Sequence, residues 1–370
     1  GGDPAAALEH TACLLATEPG HVAACKFRAL ALLGCGRAAE AAALLHPFRL
    51  DADADMQGAL VQVLSALARE RHPNAPDDPV QPALLPDDPP ELLLMPSPGV
   101  AGRPGRISVV ICSVDPMKFR AVRSNYERLL ADEPHEIIGI HDARSLCEAY
   151  NRATPQASGD ILVFSHDDIE ILTPDFATRL RRHLARHDVV GPCGASRLVD
   201  GDWCGHWMGA GWPHVHGLVA SHFPPWHEHA GLYRVMVLDT LGEDSTGNLQ
   251  CLDGMFIATH RQVVERCPFD EATFDGFHQY DLDFTFSAYL AGFDVAAFRD
   301  IVMVHYTYGS AQGYQEAFDK YVSRFRAKHQ AELQPAGPPL VRFVPATFRT
   351  RAQVRAFCRE LLRYRRSPAP

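Results

Sequence analysis

Several absences narrow the field before any motif is considered. No apolar run approaches the roughly 18–20 residues that a membrane-spanning helix needs, so none is expected. The ten cysteines form no C-x-x-C pair and follow no short-domain spacing, which argues against a zinc ribbon, a redox pair or a disulfide scaffold. They read as reduced thiols of a cytosolic protein. Positive charge is also short: 35 Lys+Arg stand against 45 Asp+Glu, a net charge of −10, so binding of nucleic acid over the whole surface is not expected. No signal peptide is visible, and the chain opens on Gly1-Gly2 rather than Met, so a trimmed start is expected. What is present is enough apolar sequence, 46% of 370 residues, to bury a sizeable core, and a length that suits two or three domains.

Residues 4–70 are rich in Ala and Leu and show no strand-like alternation. Helical blocks are expected at 5–17, 21–34, 37–47 and 54–70, separated by Pro19-Gly20, Gly34-Cys35-Gly36 and Pro47. A shift of 34 positions lays Phe27, Leu30 and Leu33 on Val61, Leu64 and Leu67. With the segment "ATEPGHVAACKFRALALLGCGRAAEAAALL", this period resembles tetratricopeptide repeats over about two units, without the Trp and Tyr of that pattern. Three roles stay open for residues 1–72: a helical cap on the next domain, a docking surface for a peptide or protein acceptor, or a dimerisation unit. Residues 73–105 are dense in proline, which removes backbone donors and favours extended chain, and form a linker.

At 106 the texture changes. "RISVVICSVD" (106–115) is a continuous apolar, β-branched run, as expected of a strand buried on both faces. A helix is expected over 118–131, a strand over 135–142, a helix over 144–157 and a third strand over 159–171. Such alternation points to an α/β domain with a mostly parallel sheet, in which ligands bind beyond the carboxyl ends of the strands. Those ends carry Ser113 and Asp115, Asp142, and His166-Asp167-Asp168. By itself the last group is as consistent with a solvated turn as with a site. Farther on, "CLDGMFIATHRQVVERCPFDEATFDGFHQYDLDFTFSAYLAGF" (251–293) joins a Gly-containing strand to an acid-bearing helix, and "FDVAAFRDIVMVHYTYGS" (293–310) gives a strand ending at His305.

This order of motifs resembles the inverting family 2 glycosyltransferases of the GT-A fold, in a variant with His-x-Asp in place of Asp-x-Asp. The resemblance implies a donor side in which Ser113, Asp115, Asp142, Asn151, His166 and Asp167 bind a nucleotide sugar, Asp142 contacting the base. It implies that Asp168 and His305 hold Mn²⁺ or Mg²⁺ at the diphosphate, whose departing charge needs a cation. It places the general base at Asp281 in Tyr280-Asp281-Leu282-Asp283, where the family has Glu-Asp-x-Asp. Asp281 and Asp283 are two residues apart and cannot share a helical face, so one acts as the base, Asp281 by the resemblance and Asp283 as the alternative, and the other is structural or supports the helix N-terminus. Asp253, Gly254, His278 and Asp283 fall on the acceptor side. No Gln-x-x-Arg-Trp follows, which within the family implies transfer of a single sugar rather than polymer synthesis. A nucleotidyltransferase fits poorly, because "CSVDPMKF" lacks the Gly-rich basic loop such enzymes place after the first strand.

Two segments stand outside this scheme. Residues 191–231 hold all four tryptophans (203, 207, 212, 226) and the histidines 206, 214, 216, 222, 227 and 229. Trp203 and Trp207 suit stacking on acceptor sugars; a zinc site at the histidines and plain packing are the other readings. The C-terminal extension 331–370 carries eight arginines over 341–370 against Glu360 alone, with Val354, Phe357, Leu361 and Tyr364 at helical spacing. This basic helix either packs back on the protein or lies on an anionic membrane surface.

The expectation is an α/β protein with a GT-A domain at 106–330 behind a small all-α domain. It is a metal-dependent inverting transferase that moves a sugar, from a UDP-sugar by the resemblance, to a glycan, peptide or protein, or lipid-linked acceptor. It has no nucleic-acid partner and is cytoplasmic or peripheral on the inner face of the membrane. The rival reading is a catalytically inactive GT-A-like scaffold acting through its helices.

Overall fold

The computed structural model describes residues 3–49, 53–71, 105–198, 214–223, 227–238, 244–306, 314–333 and 345–366. The proline-rich stretch 73–104, all four tryptophans including Trp203 and Trp207, His206, Tyr308 and Gly309-Ser310 lie outside the described residues. Among the described residues, no helix is long and apolar enough to cross a membrane.

Four helices open the chain close to the expected blocks: α1 (Pro4–Thr17), α2 (Val22–Gly34), α3 (Ala38–Leu45) and α4 (Ala54–Arg71). Asp3 caps α1 by accepting from the Ala5 N–H at 2.9 Å, with Pro4 at the first helical position. Small residues on α2 and α3 (Ala29, Ala38, Ala41) let the helices approach, and Met56, Leu60, Val63 and Leu64 of α4 close the packed face. One pair matched by the 34-residue shift has opposite environments, Phe27 being 58% exposed and Val61 4%, while Leu30 and Leu33 are partly buried against the same core that holds Leu64 and Leu67.

The α/β part runs β1 (Ile107–Cys112), α5 (Pro116–Leu129), β2 (His135–Ile140), α6 (Leu146–Ala153), β3 (Ile161–Ser165), β4 (Ile169–Ile171), α7 (Phe176–Leu184), β5 (Val189–Gly191), β6 (Cys193–Ala195), β7 (Val215–His222), β8 (Tyr233–Val237), β9 (Ser245–Thr246), β10 (Cys251–Leu252), β11 (Phe256–His260), α8 (Arg261–Arg266), α9 (Tyr280–Leu290), β12 (Val295–Phe298), β13 (Met303–Tyr306), α10 (Tyr314–His329), β14 (Ala346–Phe348) and α11 (Arg351–Arg366). The first sheet has the order β2-β1-β3-β11-β5-β12-β9. β1 is parallel to β2 and to β3, with Val109 opposite Ile137 and Val163, and Ile107, Val109, Val110 and Ile111 are wholly buried. The sheet is mixed, with five strands sharing one direction: β11 runs antiparallel to both β3 and β5, and β9 antiparallel to β12. β11 follows β10 after a short turn, with no crossover helix to carry the chain back for a parallel entry.

Two segments that look like single strands in sequence each divide between sheets. After β3 the chain turns at His166-Asp167-Asp168 and continues as β4 in the second sheet, β10-β6-β7-β13-β4. After β12 it turns at Arg299-Asp300 and continues as β13, antiparallel to β4 with His305 opposite Ile169. A charged group inside an apolar run marks each crossing. Asp300 is fully buried among Arg179, Arg182 and His183. Burial alone would raise its pKa, but His183 and the two guanidinium groups hold it well below the usual carboxylate range.

The second sheet separates two cores by the two-residue alternation of a strand. On β7, Val215 and Val219 face the first sheet, while Leu218 and Ala220 join the helices α2–α4; on β13, Met303 and Val304 divide the same way. Gly217, at φ 115°, lies where β7 changes partner from β6 to β13 and β8, and a Cβ there would come within 2.1 Å of the Pro192 carbonyl.

The basic C-terminal helix packs back on the protein. Val354, Phe357, Leu361 and Tyr364, the stripe that would enter a membrane surface, are buried in the core shared by the helices and the second sheet. The Tyr364 hydroxyl donates to the Ala42 carbonyl at 2.8 Å, and Glu360 pairs with Arg71 of α4. At its start, Arg351 contacts both oxygens of Glu170 at 2.9 Å, and Glu170 accepts from the Tyr306 hydroxyl at 2.6 Å. α11 is thereby latched to the strands on either side of the site. Arg351→Ala is expected to cost about 1–3 kcal/mol, because the guanidinium is nearly buried while Glu170 keeps some water. A thermal melt unchanged from wild type would show the latch to be slack.

Candidate functional site

The turn between the sheets brings the polar clusters together. His166 leaves β3 with its N–H on the Met255 carbonyl at 3.0 Å, and the Asp168 carbonyl accepts from the Tyr306 N–H at 2.8 Å. His305 Nε2 then lies 3.2 Å from Asp168 Oδ1, and His166 Nδ1 lies 3.8 Å from the same oxygen. One ligand atom from each of His166, Asp168 and His305 falls within 4.8 Å of the others, a grouping that could hold a metal ion. Burial works against charge on Asp168, yet the hydrogen bond from His305 and the electrostatic pull of His305, His166 and Lys118 bring it down to about 2. Burial lowers His166, and it also opposes charge on His305, where the Asp168 carboxylate prevails and raises the imidazole.

The sequence grouped Asp168 with His305 and assigned His166 to the donor. The structure places His166 with both. Asp167 turns the other way, its Oδ2 2.6 Å from Ser113 Oγ at the end of β1. Asp115 caps α5, accepting from the Met117 and Lys118 N–H groups at 2.7 and 3.2 Å. Asp142 sits at the rim, its side chain 78% exposed and 2.8 Å from Arg152, whose hydrogen bond and charge lower its pKa.

Asp281 occupies the first turn of α9 and is 8% exposed. Its Oδ2 accepts the Gly254 N–H at 2.8 Å. Burial first, and then the charge of Asp253, push its pKa up to about 7. Asp253 is half-buried, accepts the Met255 N–H at 2.9 Å, and also bears electrostatically on His166 and His305. Gln279, the residue just before α9, is buried and holds φ 65°, unusual for a residue with a side chain. A Cβ on Gly254 would lie 2.2 Å from Tyr280 Oη and 2.8 Å from Asp281 Cβ, so only glycine lets the two segments approach. Gly254→Ala is expected to cost about 1–3 kcal/mol as overpacking and to displace Asp281; a stable variant with wild-type activity would contradict this.

Three sequence-assigned residues are engaged elsewhere. The Asn151 amide is spent on the backbone of Phe269, donating to its carbonyl at 2.8 Å and accepting its N–H at 3.1 Å, so its role here is to hold the loop before α9. Asp283, 2% exposed, pairs with Lys328 and His329 of α10, each at 2.7 Å, and so ties α9 to α10, in keeping with the structural reading of this acid. His278 lies beside Phe318 and Tyr321. Tyr280 went unassigned in the sequence. Its hydroxyl donates to the Gly254 carbonyl at 2.9 Å and lies 2.8 Å from His166 Nε2. The only available signal was its place beside Asp281 at a helix start.

No curated protein matches the chain significantly. Among solved structures it is similar to A197 from STIV (13% identity over 54% of this chain and 85% of that one, TM-score 0.31). It is also similar to GalNAc-T7 with UDP, GalNAc and Mn²⁺ (8%, 61% and 48%, 0.36) and to the mannosyltransferase PcManGT from Pyrobaculum calidifontis in complex with GDP-Man and Mn²⁺ (13%, 80% and 78%, 0.37). At these scores none bears on what this chain binds. The family comparison is of another kind: residues 108–325, which run from β1 through the His166 turn, the Asp281 helix and His305 into α10, match the glycosyltransferase like family, and the chain belongs to it.

Proposed function

We propose that this glycosyltransferase is metal-dependent and inverting, and transfers one sugar from a nucleotide-sugar donor to an acceptor hydroxyl. The observation that carries the proposal is the placement of a buried carboxylate with a raised pKa beside a His-Asp-His cluster, the two connected by hydrogen bonds through Tyr280 and Gly254. Two imidazoles and one carboxylate suit Mn²⁺ better than Mg²⁺, which prefers an all-oxygen shell. Held by His166, Asp168 and His305, such a cation would supply positive charge against the departing diphosphate.

The chain's own residues do the rest. Asp281 takes the proton of the acceptor hydroxyl as its oxygen bonds to the anomeric carbon. The bond from that carbon to the phosphate oxygen breaks in the same step, and the nucleotide leaves with the electron pair. A base with a pKa near the working pH is well matched to this transfer. Ser113 and Asp167 form the donor wall beside the cluster. UDP is the expected nucleotide. The acceptor is a glycan, a peptide or protein, or a lipid-linked sugar, met in the cytoplasm.

The test is a thermal-shift panel of nucleotide sugars with and without Mn²⁺, followed by the anomeric configuration of the product by NMR. A Mn²⁺-dependent shift with one donor class and inverted product are expected. Silence across the panel would sink the donor reading, and a retained configuration would sink the single displacement.

A further inference from the structure

The Tyr280 hydroxyl has one proton, which it gives to the Gly254 carbonyl, and the His166 ring and the Tyr150 hydroxyl also stand beside it. The Gly254 carbonyl, 2.9 Å away, can only accept. His166 Nε2, 2.8 Å away, must therefore donate. A neutral imidazole that carries its proton on Nε2 leaves a lone pair on Nδ1, and Nδ1 is the atom turned toward Asp168. At 3.8 Å, that nitrogen and the carboxylate are too far apart for a hydrogen bond of their own. Tyr280 is 3% exposed, so water does not supply a competing partner readily.

From this geometry we infer that Tyr280 is a positioning residue: its hydroxyl fixes His166 in the Nε2–H tautomer and so presents Nδ1, unprotonated, to the cation position. The inference rests on the metal site proposed above. The same hydroxyl holds the Gly254 carbonyl, and the N–H of that residue holds Asp281. The donor-side ligand and the base-side carboxylate are thus oriented from one phenol. Groups behind a metal-bound histidine commonly fix its tautomer and ring orientation, and their loss weakens metal affinity about 10–100-fold.

The test uses the full chain with ¹⁵N-labelled histidine, metal-free, near pH 8, the His166 signals being identified from their loss in His166→Gln. The expected spectrum shows a pyrrole-type nitrogen at Nε2 and a pyridine-type nitrogen at Nδ1. In Tyr280→Phe the two forms should mix, and Mn²⁺ titrated alone by calorimetry should bind about 10–100-fold more weakly than to wild type. A wild-type spectrum with the proton on Nδ1 overturns the inference without any variant. So does a Tyr280→Phe chain that keeps both the tautomer and the wild-type Mn²⁺ affinity. A wild-type chain that shows the Nε2–H form yet takes up no Mn²⁺ supports the tautomer assignment and removes the metal reading instead.

Discussion

Asp281→Asn is expected to cut sugar transfer by about 10²–10⁴-fold, the usual contribution of a general base, while making the protein more stable at neutral pH. The two effects share a cause. The carboxyl lies at the start of α9, nearly out of water, and its pKa is raised from an ordinary 3.8 to about 7. The folded pKa therefore exceeds the unfolded one. The stability linked to this group is fully present below about pH 4 and is lost as pH rises through about 7. Asparagine keeps an oxygen to accept the Gly254 N–H but cannot ionise. The variant should gain about 1–3 kcal/mol above pH 7 and little at pH 4. Melting curves of the two proteins across pH 4–8 should converge toward acid. Wild-type activity should rise through a limb near pH 7. Retained turnover in Asp281→Asn would remove the residue from the role, and parallel melting curves would show that its carboxyl is not held in the high-pKa environment.

Asp168→Asn should lower transfer by about 10²–10³-fold, the scale seen when a group opposing developing charge is removed. Its fold should be spared, because the backbone contact that ties the turn to Tyr306 does not involve the side chain. Asp168 is the one carboxylate of the cluster, and without it two imidazoles make a poor site for a hard cation. Calorimetry should show Mn²⁺ binding lost in the variant, and a chelator should bring wild type down to the same residual rate, with Mn²⁺ restoring it. A variant that turns over normally, or a wild type indifferent to chelator, would exclude metal assistance at this turn.

Local patterns revealed the succession β1-α5-β2-α6, because apolar β-branched runs and capping residues act within a few positions. They did not reveal that 159–171 and 293–310 each cross between sheets. A polar triplet inside an apolar run is compatible with a strand end or a crossing, and only the pairing of β4 with β13 decides. Asp168 and His305 were legible through the family's motif. The membership of His166 in the same cluster was not, since it depends on how the ring is turned by Tyr280, far away in sequence. The anchoring contacts of Asn151 and Asp283 were hidden for the converse reason. Both have the residue type for a site, but Phe269 and the Lys328–His329 pair, remote in the chain, consume their hydrogen-bonding capacity.

The division of one sheet between two cores limits how the protein can be dissected. A fragment covering 106–330 would turn Leu218, Ala220, Val235 and Val304 from helix contacts into bare surface, and would lose the Arg351 partner of Glu170. An exposed apolar face of that kind drives self-association. Such a fragment should elute as aggregate, whereas the full chain should not. The helical front and the C-terminal helix are in this sense a wall of the sheet domain, and removing either is expected to leave that face bare to water.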